Sequence, residues 1–232
     1  MNIHPCADAE AVAQYAADTV VEAAAAAISK RGVFHWALAG GTTPKRCYEL
    51  LRDVGMDWSK THIWFGDERC LPIGDAERND RMADDALLNH VPVPVAQIHR
   101  MDAELGPEIA ASRYDALLAD APVMDLILLG MGEDGHMASL FPGNPGLDDS
   151  RLAIPVYNSP KPPSERVSMG YAGLNAARRC LIMVAGKGKA DAICRIKAGE
   201  RLPVARVENS EWLIDQDALA YRSEASCVTL DQ

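Results

Sequence analysis

Four short stretches of this 232-residue chain carry side chains that can do chemistry, and each begins where an apolar run ends. In Ala39-Gly40-Gly41-Thr42-Thr43-Pro44, two glycines allow close backbone approach and two hydroxyls can donate. A proline suited to a first helical turn follows. Unpaired N–H groups at a helix start attract anions, so Gly40, Gly41, Thr42 and Thr43 form a candidate anion site. The Gly-Lys-Ser/Thr ending of a P-loop is absent. Trp64-Phe65-Gly66-Asp67-Glu68-Arg69 delivers two carboxylates and a permanently charged guanidinium to one strand end. Gly130-Met131-Gly132-Glu133-Asp134-Gly135-His136 presents one histidine beside two carboxylates. Histidine exchanges protons near neutral pH, and a carboxylate on its other ring nitrogen makes it a better base. The fourth group is Arg166, after the proline-rich Ser159 to Pro163 loop, with Gly186-Lys187-Gly188-Lys189. A lysine at a helix start opposes the dipole, which a bound anion would offset.

The third stretch contains Gly-x-Gly-x-x-Gly, the dinucleotide fingerprint, but that reading fails on chemistry. Glu133 and Asp134 would face a pyrophosphate with like charge. Pro142 and Pro145 leave no room for the long helix that the fingerprint needs. Taken singly, each of the four stretches also suits a structural role: a capped turn, an exposed ion-pair cluster, a histidine in a polar turn, or plain surface charge.

The elements that must position these stretches alternate. Asp8 is placed to cap a helix running to about Lys30, with Val12, Ala16, Val20 and Ala23 at helical spacing. Val33 to Ala39, Thr61 to Phe65, Met124 to Leu129, Cys180 to Ala185 and Trp212 to Ile214 read as strands. Leu152 to Val156 and Arg166 to Tyr171 read as two more, and Ile98 as a short one. Helices are expected from Pro44 through Leu51 and over Asp80 to Asn89, Pro107 to Leu118 and Lys187 to Ala198. Met124 to Leu129 has no polar alternation after Asp125, as in a parallel strand covered on both faces. The expected fold is a single α/β domain over residues 1–232: a mainly parallel, Rossmann-like sheet with helices on both faces. In such sheets ligands lie beyond the carboxyl ends of the strands, where the first three stretches and Gly186 to Lys189 fall, with Arg166 at a strand edge.

Composition narrows the function classes. Lysine plus arginine total 23 against 33 aspartates and glutamates, a formal charge of −10. That balance, with no long basic run, argues against a nucleic-acid binder. An anionic ligand must therefore be held by a few local cations and N–H groups, because the global field repels it. The N-terminus shows no cationic segment leading into an apolar one, so a secretory signal is not expected. The alanine-rich run near Val20 to Ile28 is broken by Glu22 and too short to span a bilayer. The six cysteines, including Cys227, have no Cys-x-x-Cys pair and read as buried thiols of a cytoplasmic protein.

Together the four stretches resemble the 6-phosphogluconolactonase family, which groups with the glucosamine-6-phosphate isomerases. The resemblance runs from the first helix to near Ala220. It rests on Gly40 to Pro44, on Asp67-Glu68-Arg69 with Asn79 downstream, and on Gly130 through Pro142. Pro162-Pro163-Ser164-Glu165-Arg166-Val167 and Gly186 to Ala190 complete it. It implies hydrolysis of 6-phosphogluconolactone to 6-phosphogluconate, with no metal and no organic cofactor; a monomer is expected. On that resemblance His136 is the general base, Arg69 supplies positive charge to the tetrahedral intermediate, and Gly41, Thr42, Arg166 and Lys189 fall at phosphate-holding positions. Asp67 orients Arg69, the sugar hydroxyls or the water. The isomerase-deaminase branch, acting on glucosamine 6-phosphate, is the nearest alternative. It carries tyrosine where this chain has Arg69, and an acidic residue where it has Phe141. A non-enzymatic sugar-phosphate sensor is the other alternative, but it would need an attached basic DNA-binding segment.

Overall fold

A computed structural model describes residues 1–220 of the chain. Six strands form a wholly parallel sheet: β1 (Asn2–Cys6), β2 (Phe34–Leu38), β3 (Thr61–Phe65), β5 (Leu126–Gly130), β8 (Cys180–Val184) and β9 (Ser210–Asp215). Their spatial order is β1-β9-β8-β5-β2-β3. All five residues of β2 and of β8 are buried, so the sheet is covered on both faces.

Three further strands, β4 (Asp67–Arg69), β6 (Ala153–Val156) and β7 (Arg166–Met169), form a separate antiparallel sheet in the order β4-β7-β6. This second sheet is a departure from the expected arrangement. Two of its strands were readable as extended segments, but nothing local says that they pair with each other and with the three-residue β4. Arg166 to Tyr171 also stops short as a strand, because Tyr171 opens a helical turn.

The helices are α1 (Ala9–Arg31), α2 (Thr42–Leu50), α3 (Asn79–Ala83), α4 (Pro107–Asp120), α5 (Tyr171–Asn175), α6 (Ala190–Lys197) and α7 (Gln216–Ala220). Asp8 caps α1 as expected, its carboxylate accepting the Ala11 N–H at 2.8 Å. Val12, Ala16, Val20, Ala24 and Ala27 form its buried stripe, packed on β8, β9 and β2. α3 continues as a wider turn over Asp84–Leu88, closed by Asn89 N–H donating to Asp84 at 3.1 Å. Ile98 makes a single parallel bridge to Ile63. β1 was not legible in the sequence. Its Asn-Ile-His-Pro-Cys is too polar for a core strand, and Pro5 is tolerated because β1 lies at the sheet edge.

No described helix is long and apolar enough to cross a membrane. Cys6, Cys47 and Cys180 are buried free thiols and Cys70 is a partly buried one, whereas Cys227 lies outside the described residues.

Candidate active site

Because the six strands run parallel, the turns after β2, β3, β5 and β8 emerge at one edge of the sheet. They surround a cavity of about 290 Å³, near the lower end of small-molecule sites (about 300 Å³). Gly40, Gly41, Thr42, Thr43, Asp67, Arg69, His136, Arg166 and Lys189 all line it. The second sheet supplies Asp67 and Arg69 from β4 and Arg166 from β7. α2 begins at Thr42 after Gly41 with no side-chain cap, so its first N–H groups are left for a ligand. Gly40 is a steric requirement: a Cβ there would lie 2.1 Å from Asn79 Oδ1.

The turn after β5 carries the histidine. No helix follows Gly135, and the chain instead closes a bridge between Met137 and Leu140, which rules out the dinucleotide arrangement. His136 Nδ1 lies 2.5 Å from Asp134 Oδ1, and the same oxygen accepts the His136 backbone N–H at 3.2 Å. Gly132 makes room for this pair, since a Cβ there would meet His136 Nδ1 at 2.0 Å. The imidazole packs against buried Phe141 at a tilt of 36°, with ring centroids 4.4 Å apart. Burial lowers the His136 pKa below its ordinary value, and Asp134 offsets part of that. Burial would raise the Asp134 carboxyl, but the hydrogen bond and charge of His136 outweigh it and hold it low. An ionised Asp134 can only accept, so Nδ1 carries the proton. In the neutral ring Nε2 is then the free base. Ala138, also lining the cavity, sits at φ +46, a sparsely populated conformation for a residue with a Cβ.

Strand alternation splits the Asp67-Glu68-Arg69 cluster. Asp67 and Arg69 line the cavity, and Glu68 does not. The buried Glu68 carboxylate accepts three backbone N–H groups, from Arg69 at 2.8 Å, Asn79 at 2.7 Å and Asp80 at 2.7 Å. Burial and Asp80 push its pKa up to about 7, against those three donors. Glu68 thus ties the start of α3 to β4 and holds Asn79 in place. Asp67 accepts from the Ser139 hydroxyl at 2.5 Å and from Asn79 Nδ2 at 3.0 Å, and lies 4.0 Å from Arg166 Nη1. Arg69 donates from Nη1 to the Glu77 carbonyl, while its buried Nε has no partner. Arg69 and Arg166 lie directly opposite each other across the β4–β7 pair. Opposed like charges destabilise such a pair, and an anion between them would relieve this. Burial also pulls the Arg166 pKa below its ordinary value, with Asp67 opposing and Arg69 adding to the fall.

Lys161 completes the lining, together with Asn79. Both were missed as site residues, although Asn79 was a visible mark downstream of Asp67. Lys161 gave no signal beyond being one charge among prolines. Four cations therefore face the cavity, Arg69, Lys161, Arg166 and Lys189, against the single carboxylate of Asp67. The chain's net charge of −10 is locally reversed where an anion would bind. Among the described residues, no group of three or more histidine, cysteine, aspartate or glutamate side chains is arranged to hold a metal ion.

Comparison with known proteins gives the family and the fold. Residues 7–215 match the family described as glucosamine-6-phosphate isomerases/6-phosphogluconolactonase. The chain is 36% identical over 234 residues to 6-phosphogluconolactonase of Mycobacterium tuberculosis, covering 92% of this chain and 95% of that relative. The crystal structure of 6-phosphogluconolactonase from Thermotoga maritima superposes with a TM-score of 0.86 at 26% identity, covering 93% of this chain and 99% of that one. A monomeric glucosamine-6-phosphate deaminase superposes with a TM-score of 0.81 at 21% identity over 96% of this chain and 100% of that one, a likeness of fold alone.

Proposed function

We infer, for a chain that belongs to the glucosamine-6-phosphate isomerase/6-phosphogluconolactonase family, that it hydrolyses 6-phosphogluconolactone to 6-phosphogluconate, a step of the oxidative pentose phosphate pathway. The observation that carries this reading is the meeting of a carboxylate-held histidine, an arginine with a free buried N–H and a cation-rich wall in one cavity. His136 Nε2 removes a proton from water as the water attacks the lactone carbonyl. Arg69 takes the negative charge that develops on the carbonyl oxygen. The carbon–oxygen ring bond then breaks, and His136 returns its proton to the ring oxygen. Asp67 is held by Ser139, Asn79 and Arg166 and so fixes the wall on which Arg69 and the water are placed. The unpaired N–H groups at the start of α2, with Gly40, Gly41, Thr42, Thr43, Lys189 and the Nη1 side of Arg166, receive the phosphate.

Fold likeness alone does not separate this activity from amino-sugar deamination. Phe141 supports the lactonase reading: its ring is buried and packs against His136, and the resemblance to the isomerase-deaminase branch implies an acidic residue at that position. A monomer is the oligomeric state we propose, testable by sedimentation. A cytoplasmic location is proposed with it, testable by fractionation. The decisive assay is acid release from freshly prepared 6-phosphogluconolactone, with glucosamine 6-phosphate as the parallel substrate. Acceleration of the first alone is expected. Release of ammonia from the second, with the lactone left at its spontaneous rate, would overturn the reading.

A further inference from the structure

Lys161 lies in an exposed loop between β6 and β7, yet its backbone is held from below by a buried side chain. Arg166 donates from Nε to the Pro163 carbonyl at 3.2 Å, and from Nη2 to the carbonyls of Lys161 at 3.2 Å and Pro162 at 2.9 Å. The Ser159 hydroxyl closes the turn, donating to the Lys161 carbonyl at 2.8 Å and accepting the Lys161 N–H at 3.2 Å. Arg166 is itself fixed over the Phe141 ring, 5.5 Å from its centroid. Most of this guanidinium is therefore spent on the loop, and only Nη1, 3.5 Å from Ser139 Oγ and 4.0 Å from Asp67, remains toward the cavity.

An exposed lysine ordinarily turns its ammonium to water. This one lines the cavity, together with Lys189. The ion pairs at the cavity join Asp134 to His136 and Asp67 to Arg166, and among the described residues neither lysine has one. Burial pulls the Lys189 pKa down, and Lys161 adds its repulsion against the pull of Glu133 and Asp134. Two ammonium groups thus face one space without an ion-pair partner of their own among the described residues. A phosphate monoester carries about −1.5 to −2 near neutral pH, which matches two ammonium charges.

Resting on the lactonase reading above, we propose that Lys161, presented by Arg166, is a further ligand of the substrate phosphate and that Lys161 and Lys189 together set the preference for a phosphorylated over an unphosphorylated lactone. Lys161→Met keeps the aliphatic stem and removes the charge. Its exposed position leaves the fold undisturbed. Binding of 6-phosphogluconate and of gluconate to the full chain, measured by calorimetry or competition, reads the assignment without turnover. Lys161→Met weakens 6-phosphogluconate about 10- to 100-fold, the effect of one lost charge-assisted bond. Lys161→Arg recovers most of the loss, and gluconate binding does not follow it. In steady-state kinetics the loss falls on KM rather than on kcat. Equal binding of 6-phosphogluconate by Lys161→Met and the parent overturns the proposal. So does an equal loss for gluconate, which would place Lys161 on the sugar. Hydrolysis is scored separately. A chain that shows the binding difference but leaves the lactone intact supports the phosphate assignment and overturns the lactonase reading. A chain that hydrolyses the lactone while Lys161→Met behaves as the parent overturns the phosphate assignment alone.

Discussion

Replacing Asp134 by asparagine isolates the charge behind His136. The amide can place its oxygen where Asp134 Oδ1 now lies, 2.5 Å from His136 Nδ1, with almost no change in volume. A hydrogen bond to a charged group contributes about 1.5–3 kcal/mol against about 0.5–1.5 for a neutral one, so the charge accounts for about 1–1.5 kcal/mol. By linkage, about 1.4 kcal/mol is one pH unit. The His136 pKa is already below its ordinary value through burial, partly offset by Asp134. In Asp134→Asn it falls by about one pH unit more. The sign follows from the role: a general base works in its neutral form, so the acidic limb of kcat/KM moves to lower pH. The plateau falls as well, because the imidazolium formed in the transition state loses its counter-charge, and a fall of about 10- to 100-fold in kcat is expected. The assay is initial-rate acid release from fresh lactone across about pH 5 to 8, where histidine titrates. An acidic limb that stays in place or moves up, with the plateau intact, would refute the coupling of Asp134 to the base.

Three other outcomes are expected. Arg69→Ala lowers kcat roughly 10²–10³-fold with less change in KM, and Arg69→Lys recovers only part, because the planar fork is lost; a rise in KM alone would make Arg69 a ground-state ligand. Phe141→Leu removes the ring packed against His136 and lets water in, so the acidic limb moves to higher pH, opposite to Asp134→Asn, with about 1–2 kcal/mol of stability lost in urea titration. Far from the site, buried His35 stacks on His62 at 4.6 Å, accepts from Trp64 Nε1 at 3.1 Å on Nδ1, and has its pKa lowered to about 4 by burial and by His62, against Asp125. The unfolded imidazole takes its proton near pH 6.5 while the folded one does not, so stability intact above about pH 6.5 declines by up to about 3 kcal/mol as pH falls toward 4, checked by denaturant titration at both ends.

The local pattern of the chain already determined the strand-then-glycine junctions at Gly40, Gly66, Gly130 and Gly186 and the helix that Asp8 caps. It did so because apolar runs, caps and turn residues act over a few positions. It also determined that His136 has a carboxylate within reach, since Asp134 is two residues away. What the sequence could not decide depends on contacts between distant segments. Ser139 donates to Asp67 across 72 positions, and Glu68, adjacent in sequence to two site residues, is turned away by strand alternation to bind backbone N–H groups 11 and 12 positions on. Both follow from the antiparallel pairing of β4 with β7, which a three-residue strand with three charged side chains does not announce. The same pairing sets Arg166 under the Lys161 loop, so an exposed lysine among prolines becomes part of the cavity only when the second sheet has formed.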